Sequence, residues 1–304
     1  MNNPTRLFDF PYYQLENKPL PMMMISRAEH GDIQYSTTEF IDEFNRLSRG
    51  LIALGVQPGA KIALISHNNR CEWNVMDHGV LQTGAINVPI YPTMTEDDYE
   101  YIFNHSESSY CFVSNEDLYR KVMAVKSKCS QLKEVYTFEH VEGAKHWSDL
   151  LEIGRSMDHQ SELDERKSAI KTEDLATIIY TSGTTGLPKG VMLTHANIAS
   201  NAVASTDRLP VLKNQEYRVL SFLPACHIYE RMLHYLYMYN SGVIYFAESL
   251  ETIKEDIAWS RPHVFSAVPR LLEKFYDGIT AKGKEKGGLA SSIFGWAVNL
   301  ALQW

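Results

Sequence analysis

Residues 180–190 read Tyr180-Thr181-Ser182-Gly183-Thr184-Thr185-Gly186-Leu187-Pro188-Lys189-Gly190. The stretch lies between two apolar segments. Leu175-Ala176-Thr177-Ile178-Ile179 precedes it, a β-branched run that reads as a buried strand. Val191-Met192-Leu193 follows, short and again strand-like. Within it stand three glycines, four small hydroxyl residues and one lysine, with no acid. A phosphate cradle needs this composition. Glycine lets backbone N–H groups turn toward an anion and lets the anion come close. Hydroxyls add donors or ligate a phosphate-bound metal, and the lysine neutralises charge.

Register decides between the known phosphate loops. A Walker A loop needs Gly, four residues, then Gly-Lys-Ser/Thr. Counting from Gly183 the second glycine falls on Pro188, and from Gly186 on Val191, so both registers fail. No strand-associated G-x-G-x-x-G is present either. A Ser/Gly/Thr-rich stretch is often only a flexible loop; the strand–loop–strand setting argues against that here.

Thr181-Ser182-Gly183-Thr184-Thr185-Gly186-Leu187-Pro188-Lys189-Gly190 resembles the signature loop of the AMP-forming adenylating enzymes. That superfamily includes acyl-CoA synthetases, peptide-synthetase adenylation domains and beetle luciferases. The likeness continues into Val191-Met192-Leu193-Thr194-His195-Ala196-Asn197. A second stretch, Leu223-Pro224-Ala225-Cys226-His227-Ile228-Tyr229-Glu230-Arg231, resembles the long-chain fatty acyl-CoA synthetase version of a family motif. So does Pro262-His263-Val264-Phe265-Ser266-Ala267-Val268-Pro269-Arg270-Leu271-Leu272-Glu273-Lys274. With residues 51–65 and 74–92, the resemblance covers about residues 30–304.

The resemblance implies an α/β fold, with the doubly wound sheets of the N-terminal domain of acyl-CoA synthetase and luciferase-like enzymes, incomplete at the C-terminal side. Residues 1–304 then form a partial adenylation domain led by an arm over residues 1–30. The family's Mg²⁺-holding Glu, ribose-binding Asp, hinge and C-terminal lid domain with its adenylation lysine are absent. The implied reaction activates a long-chain fatty acid with ATP to an acyl-adenylate, then passes the acyl group to CoA. ATP, Mg²⁺ and CoA are the implied cofactors and co-substrates. The phosphate-binding residues carried over are Thr181, Ser182, Gly183, Thr184, Thr185, Gly186, Leu187, Pro188 and Lys189, with Thr184 the candidate metal ligand. His227 is carried over to the floor of the acyl and nucleotide pocket. No catalytic set is complete, so residues 1–304 alone are expected to be inactive. A synthetase for aryl or medium-chain acids and a noncatalytic nucleotide-binding module are the rival readings.

The apolar and charged fractions are 44% and 22%, those of an ordinary globular protein. The net charge of -8, with acids and bases interspersed, argues against nucleic acid as a partner. Cys71, Cys111, Cys129 and Cys226 show neither C-x-x-C nor zinc spacing and read as reduced thiols. Residues 20–25 are apolar but too short for a signal core, and no run reaches membrane-spanning length. The expected location is the cytoplasm, with peripheral membrane contact and a homodimer left open. Cys226 beside His227 is not a nucleophile pair, because neighbours on one element point different ways and no acid orients the histidine.

Along the chain, residues 1–24 read as an irregular surface arm with four prolines. Ser36 with Glu39 makes a capping box for a helix over 35–55. Tyr35-Ser36-Thr37-Thr38-Glu39 thus only mimics the family's Mg²⁺-binding motif. Strands over 61–65, 85–90, 110–113 and 134–138 alternate with helices over 71–84, 95–105 and from Asn115, which predicts a doubly wound sheet. Residues 155–174 read as a connector without periodicity, and 282–288 as a flexible basic tip. Helices are expected over 197–207, 228–239, 251–260, from Pro269 and over 291–304, with strands over 218–223, 243–246 and 263–267.

Overall fold

A computed structural model describes residues 3–28, 31–156, 158–181, 186–209, 216–285, 287–301 and 303. The chain divides into two compact units, Met1–Phe265 and Ser266–Trp304. In the first unit, β1 (Met24–Ser26) and β2 (Ile33–Tyr35) form an antiparallel pair. The next strands are β3 (Lys61–Ile65), β4 (Ile86–Ile90), β5 (Ser108–Val113), β6 (Glu134–Thr137) and β7 (Lys145–His146). They are followed by β8 (Leu175–Thr181) and β9 (Lys189–Thr194). Then come β10 (Arg218–Ser221), β11 (Val243–Phe246) and β12 (Val264–Phe265).

Among the described residues these strands make two sheets. One has the order β7-β6-β5-β3-β4-β8-β9, the other β12-β10-β11-β1-β2. The pairs are parallel except β1–β2 and β8–β9. In the smaller sheet β11 lies on one side of β10 and β12 on the other, so the winding reverses at β10. Open α/β sheets bind ligands at the carboxyl ends of strands beside such a reversal. The Leu223–Arg231 motif leaves from that end of β10.

The helix Cys71–Leu81 is buried along its whole length. Val75, Met76 and Val80 share one core with Leu64 from the larger sheet, Ile244 from the smaller one and Leu236 from the helix Ile228–Tyr239. The capping box is present: Ser36 Oγ accepts from Glu39 N at 3.2 Å, and Glu39 Oε2 accepts from Ser36 N at 2.8 Å. The Mg²⁺-motif mimicry of this stretch is therefore a helix start.

Three expectations are corrected. The first 24 residues are not an irregular arm on the surface. Asp9–Asn17 is a helix, Leu7, Phe8 and Phe10 are fully buried, and Gln14 donates to the Met238 carbonyl at 3.1 Å. Pro11 sits in the first turn, where its missing N–H has no intrahelical partner to lose. The 155–174 stretch holds a helix, Gln160–Ala169. Residues 282–285 belong to the helix Pro269–Glu285, not to a flexible tip. That helix and Gly288–Ala301 make up the second unit, where a Cβ on Gly283 would come within 2.4 Å of the Phe294 ring.

Candidate functional site

β8 and β9 are the two antiparallel arms of a hairpin, and the Gly/Ser/Thr stretch joins them in sequence. Thr181 pairs with Lys189 at its neck, and both side chains are exposed. Next down the ladder, Tyr180 faces Gly190. A Cβ on Gly190 would lie 2.8 Å from Ile178 Cγ2 and 3.2 Å from the Tyr180 ring, so this glycine lets the arms close. Two bonds fix β8 from below: Thr177 Oγ1 donates to the Asn87 carbonyl at 2.7 Å, and Tyr180 Oη bonds His105 Nδ1 at 2.7 Å. Gly186 has φ +93°, the left-handed region that other residues adopt only with strain. Pro188 is buried while Leu187 is exposed. Ser182, Gly183, Thr184 and Thr185 lie outside the described residues. Rigid strands thus carry the neck of the loop, with one cation at its mouth.

Residue His227 caps the helix Ile228–Tyr239. Its Nδ1 accepts from Tyr229 N at 3.2 Å, so in the neutral ring Nε2 carries the hydrogen. The ring is exposed. The turn before it is held by Asn69, just beyond the carboxyl end of β3. Asn69 Nδ2 donates to Ser221 Oγ at 2.7 Å and to the Leu223 carbonyl at 2.6 Å, while its Oδ1 accepts from Ala225 N at 2.9 Å. One buried amide therefore locks the end of β10 to the larger sheet. Cys226 is buried and its thiol is pushed up to about 12 by burial, far from thiolate chemistry.

A hollow of about 240 Å³ opens between the two motifs. It is lined by Leu193 of β9, Asn197, Ile198 and Asn201 of the next helix, and Ile228, Tyr229 and Met232. Its wall is mostly apolar, and it touches the residue after His227 on one side and the hairpin on the other. A larger cavity of about 530 Å³, bordered by Gly59, Ile86, Arg166, Leu175 and His195, lies at the amino ends of β3, β4 and β8. It is on the wrong side of the sheet for the usual ligand position.

A family model described as AMP-binding enzyme matches residues 15–297. The chain belongs to the AMP-binding enzyme family. Among curated relatives it is 32% identical over 295 residues to the peroxisomal long chain acyl-CoA synthetase 7 of Arabidopsis thaliana, covering 93% of this chain and 41% of that one. It is 31% identical over 266 residues to a long-chain-fatty-acid–CoA ligase of Mycobacterium bovis, covering 88% and 44%. The chain thus spans about two fifths of the length of these relatives. Among solved structures, a long-chain-fatty-acid–CoA ligase from Archaeoglobus fulgidus superposes with a TM-score of 0.73 at 23% identity, over 93% of this chain and 56% of that one. ATP-bound MatB from Rhodopseudomonas palustris gives 0.69 at 21%, over 90% and 51%. The fold expectation, an adenylating-enzyme N-terminal domain in part, holds.

Beneath the site of this AMP-binding enzyme lies a charged core that sequence reasoning missed. Arg231, the last residue of the second motif, is fully buried and forks onto Asp77 of the buried helix, Nε to Oδ2 at 3.0 Å. Tyr235 Oη and Asn87 Nδ2 also donate to Asp77. Burial pushes the Asp77 carboxyl up, but Arg231, His78 and the Tyr235 hydroxyl together hold it below the ordinary carboxylate range. Asp77 stands in an otherwise buried helix, which was the one signal available. Asn69 gave none.

Beside it, Ser221 Oγ lies 2.9 Å from His234 Nε2, and His234 Nδ1 lies 3.1 Å from Asn74 Oδ1. Asn74 Nδ2 donates to the Arg70 carbonyl, so its oxygen is the acceptor for His234. The order resembles a Ser-His-Asn hydrolase triad. Ser221 has no exposed surface, and its oxygen already accepts from Asn69, so the network braces the turn and no acyl carbon can reach it.

Among the described residues, no group of three or more His, Cys, Asp or Glu could hold a metal ion. Thr181 and Lys189 form the described mouth of the loop, and Thr184, the candidate metal ligand, lies outside the described residues. A hydroxyl and an ammonium are donors that fit phosphate oxygens.

Proposed function

We propose that this chain supplies the phosphate-binding loop and the mouth of the acyl site of an AMP-forming long-chain fatty acid–CoA ligase. One observation carries the reading: the family's signature stretch joins the two arms of the β8–β9 hairpin, with Lys189 exposed at its neck, and further down β9 Leu193 borders an apolar hollow that reaches Ile228, beside the His227 cap. In the proposed reaction a carboxylate oxygen attacks the α-phosphorus of ATP, the bond to the bridging oxygen breaks, and pyrophosphate leaves. The CoA sulfur then attacks the acyl carbon and AMP leaves with the bonding electrons. The phosphates gain charge as they depart, so preorganised donors matter most there. Backbone N–H groups of residues 182–186, the hydroxyls of Thr181, Ser182, Thr184 and Thr185, and the Lys189 ammonium take that role. Lys189 steadies charge and moves no proton. The His227 Nε2–H is a donor at the acyl end.

The relatives named as long-chain ligases, at about 30% identity, support the long-chain reading over the aryl and medium-chain ones. Each buried CH₂ contributes up to about 0.8 kcal/mol. A protein carrying this chain with the remaining length of its relatives should show acid-dependent ATP–pyrophosphate exchange that strengthens from octanoate to palmitate. A preference for acetate or benzoate contradicts the substrate. Exchange with no acid at all contradicts the reaction.

A further inference from the structure

Pro224 stands between two hydrogen bonds from one buried side chain. Asn69 Nδ2 donates to the Leu223 carbonyl before it, and Asn69 Oδ1 accepts from Ala225 N after it. A carbonyl can only accept and a main-chain N–H can only donate, so these partners fix which way the Asn69 amide faces. The Pro224 carbonyl in turn accepts from His227 N at 2.9 Å. His227 thus hangs from the residue that Asn69 brackets.

The segment that carries Asn69 is itself tied down. Ser66 Oγ donates to the Asn68 carbonyl at 2.7 Å, and His67 N donates to Ser114 Oγ, just after β5, at 3.2 Å. Asn68 Nδ2 donates to the Glu248 carbonyl, just after β11, at 3.2 Å. Downstream of His227, Arg231 fastens the next turn of the same helix to Asp77. The exposed His227 ring therefore stands between two anchors, both supplied by the stretch from Asn69 to Asp77. We propose that Asn69 is a positioning residue, which sets the place of His227 in the acyl site without touching substrate. Its use in the reaction rests on the ligase reading; its geometry does not. Asparagine suits the task because it donates and accepts at once. Aspartate would keep an acceptor for Ala225 N and lose both donors, and alanine would lose all three bonds. A site group holds its geometry only when the residues behind it are fixed in this way.

Amide hydrogen exchange of the 304-residue chain tests the geometry. In Asn69→Ala, the His227 and Tyr229 N–H groups should exchange roughly tenfold faster or more, because the turn that orders them opens locally. Gly242 N–H, bonded to the Tyr237 carbonyl at 2.9 Å beyond the far end of the helix, should keep its rate. Ser221→Ala removes one Asn69 partner and leaves both bonds that flank Pro224, so His227 and Tyr229 should keep their rates in it. Should Asn69→Ala not fold, Asn69→Asp carries the same test with a smaller change. Equal acceleration of all three amides, or none at His227 and Tyr229, overturns the proposal. ATP–pyrophosphate exchange by a protein with the remaining length of its relatives tests the use. Asn69→Ala and His227→Ala should each lower kcat by roughly tenfold or more, with KM for Mg-ATP within about twofold of the parent. The double variant should be no slower than His227→Ala, since Asn69 acts through that ring. Losses that multiply in the double variant overturn the proposal. A parent with no pyrophosphate exchange fails the ligase reading instead, and the amide rates still decide whether Asn69 sets His227.

Discussion

Asp77 and Arg231 show how a few residues position a site without touching it. The pair joins the helix Cys71–Leu81 to the helix that His227 caps, and both partners are buried. Removing one partner leaves the other charged in the core. Asp77→Asn should therefore cost on the order of 3–5 kcal/mol, while Asp77→Leu with Arg231→Met should cost far less. Urea unfolding of the three proteins measures this; equal losses in the single and double variants would count against it. A pH dependence follows from two histidines. Burial holds His78 and His195 down at about 4, against an ordinary value near 6.5. The unfolded chain takes up these protons first, so their contribution is complete above about pH 6.5 and is lost as pH falls toward 4. The urea midpoint should drop across that window, and His195→Gln, which keeps an acceptor for Leu7 N, should flatten the drop. A midpoint flat from pH 6.5 to 4 contradicts it. The signature loop and His227 were legible in the sequence because their neighbours in sequence define them. Asn69 and Asp77 were not, because their partners lie more than 150 residues away.

At the scale of elements, apolar periodicity gave the strands and amphipathic helices, and it failed where helices draw on other forces. Gln160–Ala169 buries only Leu163; Gln160–Asp164 and Glu162–Arg166 pairs at i,i+4 support it, and Arg49 bonds Gln160. Polarity made it read as a connector. The helix Asp9–Asn17 was hidden by prolines, although Phe8 and Phe10 already belonged to the main core. The hairpin that presents the loop rests on two glycines with different duties. Gly190→Val drives a side chain into Ile178 and Tyr180 and should destabilise by about 1–3 kcal/mol. Gly186→Ala meets nothing within 4 Å, so its cost of about 1–2 kcal/mol comes from the left-handed backbone alone. Thermal unfolding of both variants separates steric from backbone strain. A Gly186→Ala protein as stable as the parent contradicts the turn geometry.

At the scale of the molecule, two sheets share one core around a buried helix, and the candidate site gathers where the Thr181–Lys189 hairpin approaches the helix capped by His227. The fold was legible as alternating strands and helices, but the two-sheet arrangement was not, because β1 pairs with β11, where Met24 lies opposite Ile244 far along the chain. The central claim is that the hairpin turn binds nucleotide phosphates. The direct measurement is calorimetric titration of the 304-residue chain with Mg-ATP, beside Lys189→Ala and the half-buried control Lys121→Ala. The account predicts weak saturable binding by the parent and by Lys121→Ala, and a loss of roughly tenfold or more in Lys189→Ala, as for one charge-assisted contact. Undiminished binding by Lys189→Ala, or no binding by the parent, would contradict it.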